Sequence, residues 1–508
     1  MNTDTFRHLL LNPTTTLKTK PALTFLRDGK VETELSYGEL GRDAEQMSSV
    51  LRSMGIEKSD RVILFLQKSL VFVVTHLALQ KIGAVTVPLN PEFKRSEMEY
   101  LLQDTQPKAI LLDHSTESLI HEIDSTLTTL TIDTRKPYQD IDIFNNVPDN
   151  ETETSIGPED PALIIYTSGT TGKPKGVILA QKNLANDARA IIGIWDIRQT
   201  DVICHSLPLF HAHGLFFALQ TALIAGAHVI MMDRFAPDNV VETLGQQGGP
   251  NQCSVFMAVP AMYGQLMACI GDRKIGFEHL RLLTSGSAPL LPKDFKRIQQ
   301  IFGKEPVERE GMSETGMNFS NPLLGEKKPG SIGLPLPSLE VRIVDPETGL
   351  DVSPGQTGEI WLKGPSIFCS YWKKDKETAD TFEQGWFKTG DLGNVDADGY
   401  YYLTDRIKDI IISGGENISP KEIEEVINSL DEVLECSVLG IQDEKWGEKV
   451  VAAVVRKQGT EIDGDKIKEV CKEHLHNWKC PKKFVFLEKI PRNTMGKALK
   501  DELKSLFQ

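Results

Sequence analysis

The sequence predicts a layered α/β protein with a large N-terminal domain and a small C-terminal one. Three observations carry this. The chain has 508 residues, more than one hydrophobic core usually serves. Short apolar runs alternate with helical patterns through the first two thirds, as in parallel sheets with helices on their faces. The texture then changes twice, near Leu339 and after Arg406.

Val62–Leu66 reads as a buried strand, Phe72–Lys81 as a helix, Ala84–Pro88 as the next strand, and Ala109–Leu112 repeats the theme. The acidic stretch 140–160, with Pro148, Gly157 and Pro158, reads as a surface linker. Val341–Val344, Gly358–Leu362 and Tyr400–Leu403 are short strands between Pro/Gly turns, giving a β-rich subdomain at about 339–406. Ile407–Ile412 reads as a strand, Ser413–Asn417 as a turn, and Ser419 as the cap of a helix with Pro420 at its first position. The expected domains are therefore 1–406 and 407–508.

Composition is ordinary for a globular protein, 40% hydrophobic and 25% charged, with a formal net charge of −15. That charge argues against a nucleic-acid partner or a broad acidic-membrane surface, so an anionic substrate must meet a local basic pocket. The seven cysteines (204, 253, 269, 369, 436, 471 and 480) form no C-x-x-C pair. They read as reduced packing residues of a cytoplasmic protein. The first twenty residues lack the apolar core of a signal peptide, no stretch approaches a membrane span, and the last residues are not a peroxisomal tripeptide.

The stretch Thr167-Ser168-Gly169-Thr170-Thr171-Gly172-Lys173-Pro174-Lys175-Gly176 holds three glycines, four hydroxyls and two lysines. Glycines let backbone approach closely. N–H groups, hydroxyls and lysines are what phosphate oxygens ask for. Apolar β-prone runs on both sides place the loop between two strands. It is not a Walker A loop, which opens a helix.

This loop, Gly311-Met-Ser-Glu-Thr315, Thr389-Gly-Asp391, Asp405-Arg-Ile-Lys408, Gly414-Gly-Glu-Asn417 and Pro491-Arg-Asn-Thr-Met-Gly-Lys497 together resemble, over essentially the whole chain, the adenylate-forming acid–CoA ligases. The resemblance implies a small C-terminal domain that is mobile, with ATP, Mg2+ and coenzyme A as cofactors and substrates. A carboxylate first attacks the α-phosphate, releasing pyrophosphate; the domain then rotates and a thiol displaces AMP. It implies that Thr167 to Lys173 hold the β- and γ-phosphates, that Glu314 binds magnesium and Thr315 the α-phosphate, and that Asp391 and Arg406 take the ribose. Lys497 would carry adenylation, Lys408 would be the hinge, and Gly414, Gly415 and Glu416 would shape the CoA tunnel. His211 and Gly286 would line the acyl site, and Ser287 and Ala288 the adenine wall. Glu310 stands where the family usually has a tyrosine stacked on adenine.

His211-Ala-His213-Gly214 and Gly316–Asn321 resemble malonyl-CoA synthetase-type members. A dicarboxylic acid needs a cation for its second carboxylate, and Arg234, Arg281 and His213 are the candidates. A fatty or aromatic monocarboxylic acid, a carrier protein as acceptor, and a non-catalytic nucleotide-binding relative stay open, as does monomer against homodimer.

Overall fold

In the computed structural model, residues 5–142, 154–167, 173–493 and 498–507 are described. The expected acidic linker falls partly outside them, as do Ser168–Gly172 and Lys497. The chain forms two units, one of residues 1–340 with 363–385, the other of 341–362 with 386–508. The strands of 341–362 and 386–406 thus share a unit with the C-terminal hundred residues.

The larger unit holds two sheets. The first runs Ser370–Tyr371, Lys175–Ala180, Pro161–Thr167, Val85–Pro88, Arg61–Phe65, Ala109–Asp113, Thr128–Ile132. Its last five strands are parallel and its first two antiparallel. Five of these are the expected strands, Thr128–Ile132 and Ser370–Tyr371 being additional, and the expected helix spans Leu70–Ile82. Strands buried on both faces read as continuous apolar runs, which is why they were visible. Ile63, Phe65, Val87, Ile110, Leu112 and Ile164 pack into one core on this sheet.

The second sheet is ordered Leu334–Pro335, Gly316–Ser320, Val307–Met312, Leu282–Ser285, Val255–Ala258, Val202–His205, His228–Met232, Pro21–Arg27, Lys30–Ser36. Its central strands are parallel. Their carboxyl ends lead into the segments carrying the site, the usual place for ligands in such sheets.

In the smaller unit, Glu340–Val344, Gly358–Lys363, Trp386–Val395 and Tyr401–Arg406 pair in that order. A second sheet is built on the long hairpin Val433–Asp443 and Gly447–Arg456; the latter strand also pairs with Ile411–Ser413 at its start and with Lys483–Leu487 along Val451–Val455, and Glu416–Ile418 pairs with Ile411–Ser413. Pro420–Asn428 starts as expected, the Ser419 hydroxyl accepting from Glu422 N–H. Two expectations are corrected. Ile407–Asp409 is a 3-10 turn and only Ile411–Ser413 is strand; the polar pair Lys408-Asp409 breaks the apolar run. Glu416 and Asn417 lie in a strand, because Gly414 and Gly415 alone make the turn at φ 63° and 85°. Such a two-residue turn needs left-handed backbone at both positions. The cysteines are corrected too: Cys369 is exposed and Cys269 partly so, while the other five are buried.

Candidate functional site

The phosphate loop joins two antiparallel strands, closing with Thr167 opposite Lys175. Its ends are clamped by the helix Arg95–Thr105. Tyr166 Oη donates to Asp104 Oδ2 at 2.7 Å, and Tyr100 Oη donates to the Pro174 carbonyl at 2.8 Å. Lys173 lies over the Tyr100 ring, 5.3 Å from its centroid. Ser168, Gly169, Thr170, Thr171 and Gly172 lie outside the described residues.

Glu314 and Thr315 follow the strand Val307–Met312. Both are buried, and the Thr315 hydroxyl has no hydrogen-bond partner among the described residues. A buried hydroxyl left unmatched is costly, so Thr315 is set for a ligand. Gly316 follows at φ 75°, where a Cβ would strike Asp187 at 2.3 Å. That carboxyl accepts from Met317 N–H and is held well above the usual carboxylate range by burial.

Ser287 has left-handed backbone at φ 68°. Its hydroxyl is 3.3 Å from His213 Nδ1. His213 is 2% exposed, and its Nε2 is unpartnered among the described residues. Burial, then Arg309, drive its pKa well below the usual value, so the ring is neutral. Burial lowers His211 to about 4, and its ring lies 4.6 Å from that of Phe210. The structure therefore brings His211, His213, Gly286, Ser287 and Ala288 into one neighbourhood, but supplies no histidine cation.

The two arginine candidates are occupied elsewhere. Arg234 has a 64% exposed side chain and pairs with Asp28 and Asp233. Arg281 pairs with Asp201 and donates to the carbonyls of Trp195 and Asp196.

The cation beside Gly286 and His213 is Arg309. It is 4% exposed, and its Nε and Nη2 have no hydrogen-bond partner among the described residues. A Cβ on Gly286 would come within 2.6 Å of its Nε, and its guanidinium lies 5.0 Å from the Phe217 centroid. Burial lowers its pKa to about 10, which leaves it charged at neutral pH. Sequence reading missed it because it stands inside an apparent strand; its signal was a charged residue in Val307-Glu-Arg-Glu310, just before Gly311. Glu310 itself accepts from Asn318 Nδ2 at 3.0 Å. A cavity beside Phe217 is lined by Leu184, Asp187, Phe216 and Met312.

In the smaller unit, Asp391 is 4% exposed and its carboxylate meets Arg406 Nε at 2.7 Å. The Thr389 hydroxyl and Glu359 fix the turn before it. Lys408 sits on the 3-10 turn, its pKa lowered by burial and by Arg406. The loop containing Lys497 is closed at its base. Arg492 bridges Ala498, Leu499 N–H donates to the Pro491 carbonyl at 2.9 Å, and Arg492 pairs with Glu435. Lys500 pairs with Asp409 at 3.0 Å. Trp446 was also missed. Its indole is 50% exposed and packs against Gly414, whose N–H donates to its carbonyl at 2.8 Å. A tryptophan inside the polar turn Asp443–Gly447 was the available signal.

Comparison with known proteins gives the family. Residues 14–372 match the family described as AMP-binding enzyme, and 422–497 match its C-terminal domain. Indoleacetate–CoA ligase of Aromatoleum aromaticum (strain DSM 19018 / LMG 30748 / EbN1) is 33% identical over 483 residues, 94% of each chain. The mitochondrial malonate–CoA ligase of Bos taurus is 34% identical over 88% of this chain and 81% of its own. The ATP-bound crystal structure of MatB from Rhodopseudomonas palustris superposes with a TM-score of 0.91 at 34% identity, covering 99% of both chains.

Proposed function

Because the chain belongs to the AMP-binding enzymes, the adenylate-forming acid–CoA ligases, we propose that its acid is a short dicarboxylate such as malonate and that Arg309 holds the carboxylate that does not react. The observation that carries this reading is the Arg309 guanidinium, buried with two nitrogens unpartnered among the described residues. Glu310 and Asp187 offset part of that charge, but donors left open in a buried site still cost about 1–3 kcal/mol. A bound anion removes that cost. The Phe217 face keeps the guanidinium in place, and neutral His213 and Ser287 offer polar contacts without repelling it. The similarity to the malonate–CoA ligase of Bos taurus supports the reading. The indoleacetate ligase and the apolar lining of the neighbouring cavity favour the rival, an aromatic monocarboxylic acid.

The acid's other carboxylate oxygen attacks the α-phosphorus of ATP, and the bond to pyrophosphate breaks. Thr167, Lys173 and the loop between them hold the β- and γ-phosphates, and Thr315 donates to the α-phosphate. Lys497 closes on the reacting carboxylate and stabilises the developing charge. Asp391, steadied by Arg406, takes the ribose hydroxyls. Glu310, Ser287, Ala288 and Gly286 border the adenine and the acid. Among the described residues no three His, Cys, Asp or Glu side chains form a metal cluster. One carboxylate beside an unpartnered hydroxyl still suits magnesium, which keeps most of its water and uses one or two protein oxygens. Glu314 would hold it; the ion, when bound, neutralises phosphate charge.

For the second half-reaction, a functional boundary at Lys408 separates the domains 1–406 and 407–508. Rotation there withdraws Lys497 and brings in Gly414, Gly415 and Glu416. The exposed Trp446 indole beside Gly414 gives the pantetheine arm an apolar wall. The thiol attacks the acyl carbon and AMP leaves. Coenzyme A is the acceptor proposed, with a carrier protein as the alternative. The odd, scattered cysteines support a cytoplasmic setting.

The test is ATP–pyrophosphate exchange over malonate, acetate, butyrate, hexanoate and benzoate, followed by CoA-dependent AMP release. Malonate should give the fastest exchange. Faster exchange with hexanoate or benzoate overturns the dicarboxylate reading.

A further inference from the structure

We propose that Tyr371 is a positioning residue for adenylation, its hydroxyl fixing the Glu314 carboxylate relative to the strand that leaves the phosphate loop. This rests on the reading of Glu314 as the magnesium-holding acid.

Three observations converge on Tyr371. Its Oη donates to Glu314 Oε1 at 3.0 Å, and Phe368 N–H from the same short segment donates to the Glu314 carbonyl at 2.7 Å. The segment therefore grips both the backbone and the side chain of one residue. Second, Tyr371 is locked to the outgoing strand of the phosphate loop. Ser370 pairs with Ile178 and Tyr371 with Val177, and Trp372 N–H donates to the Gly176 carbonyl at 2.7 Å. Third, Lys175, on that same strand, lies over the Tyr371 ring, 5.2 Å from its centroid.

The chemistry of the contact is directional. Tyr371 is 6% exposed and Glu314 9%. A buried hydroxyl facing a carboxylate makes a charge-assisted bond, stronger and more directional than a neutral one. Glu314 is thereby held in one orientation by a residue that also registers the phosphate loop. That bond narrows the rotation of a side chain with several rotatable bonds, and any rotamer turned away from the triphosphate would weaken its hold on a metal–nucleotide complex. The ring packs at 4.7 Å on Phe368, so removing the oxygen leaves the packing in place.

Tyr371→Phe removes that oxygen alone. ATP binding to the full-length enzyme is measured by calorimetry over a series of free Mg2+ concentrations with no acid present, so no turnover occurs. The half-saturating Mg2+ should rise about tenfold, the scale of one hydrogen bond to a charged group. The maximal rate at saturating Mg2+ should fall less than threefold, and Tm should change little. Unchanged half-saturating Mg2+ in Tyr371→Phe overturns the proposal. Glu314→Gln separates the two readings. If it removes the Mg2+ dependence while Tyr371→Phe leaves it intact, only the tyrosine's role fails. If Glu314→Gln changes nothing, the magnesium reading fails and takes this proposal with it.

Discussion

Arg309→Met should abolish the preference for a dicarboxylate without weakening the fold. Methionine keeps an unbranched side chain against Phe217 and deletes the charge. A hydrogen bond to a charged group contributes roughly 1.5–3 kcal/mol, and 1.4 kcal/mol is about a tenfold factor. The ratio of kcat/KM for malonate over butyrate should therefore fall about ten- to a hundredfold, with KM for ATP unchanged. Stability gives the complementary readout. The guanidinium is 4% exposed with two nitrogens unpartnered among the described residues. Methionine removes its desolvation cost together with its attraction to Glu310 and Asp187, two terms of opposite sign. The Tm of free Arg309→Met should therefore stay close to that of the wild type. Arg281→Met is the contrast. It strands the 3% exposed Asp201 side chain, and breaking such a pair costs about 3 kcal/mol, so Tm should drop while acid preference stays. A retained malonate preference in Arg309→Met, or a Tm loss as large as that of Arg281→Met, would refute the assignment of Arg309 as a ligand-directed charge.

Lys497→Ala should lower adenylation by about 10²–10³ while sparing conversion of supplied acyl-adenylate and CoA; equal losses in both assays would remove its selective role. Glu310→Tyr should tighten ATP binding by at most about 1–3 kcal/mol, the worth of one stacked base, and a weaker Kd would mean that Glu310 contacts the nucleotide. Burial raises Glu424 from its ordinary 4.5 to about 7. The folded state then holds the extra proton between these values, and stability is lost as pH rises through that window. Glu424→Gln should raise Tm at pH 8 by an amount equivalent to about 1–2 kcal/mol, allowing for residual solvent, and leave it unchanged near pH 4.5; equal shifts at both pH values would sink this reading.

What the sequence made legible follows from how each feature is encoded. The strands around Ile63, Val87 and Ile110 are buried on both faces, so their apolar runs are continuous and local. The caps and turns are local too: Ser419-Pro420 starts a helix, and Gly414-Gly415 closes a hairpin. The phosphate loop declares itself by composition. Tyr371 did not, because its partner Glu314 is 57 residues away in sequence. A hydrogen bond of that kind has no periodicity to read.

The choice among arginines shows the same limit at the level of function. Arg234, Arg281 and Arg309 are the same side chain on paper, and the sequence reading named only the first two. What distinguishes them is the company each keeps. Arg234 faces two carboxylates at the surface, Arg281 faces Asp201 and two carbonyls, and Arg309 faces an aromatic ring and a glycine. A cation already paired has spent its directional bonds on the fold. One held in a dry site with donors to spare is ready for an anion, and the difference lies wholly in tertiary contacts. The same reasoning gives His213 its role. Burial and the nearby guanidinium keep the imidazole neutral, so in the proposed reading it would orient the acid by a hydrogen bond while Arg309 supplies charge. If that division holds, acid preference should be independent of pH between about 6 and 8, a range in which an ordinary histidine would titrate.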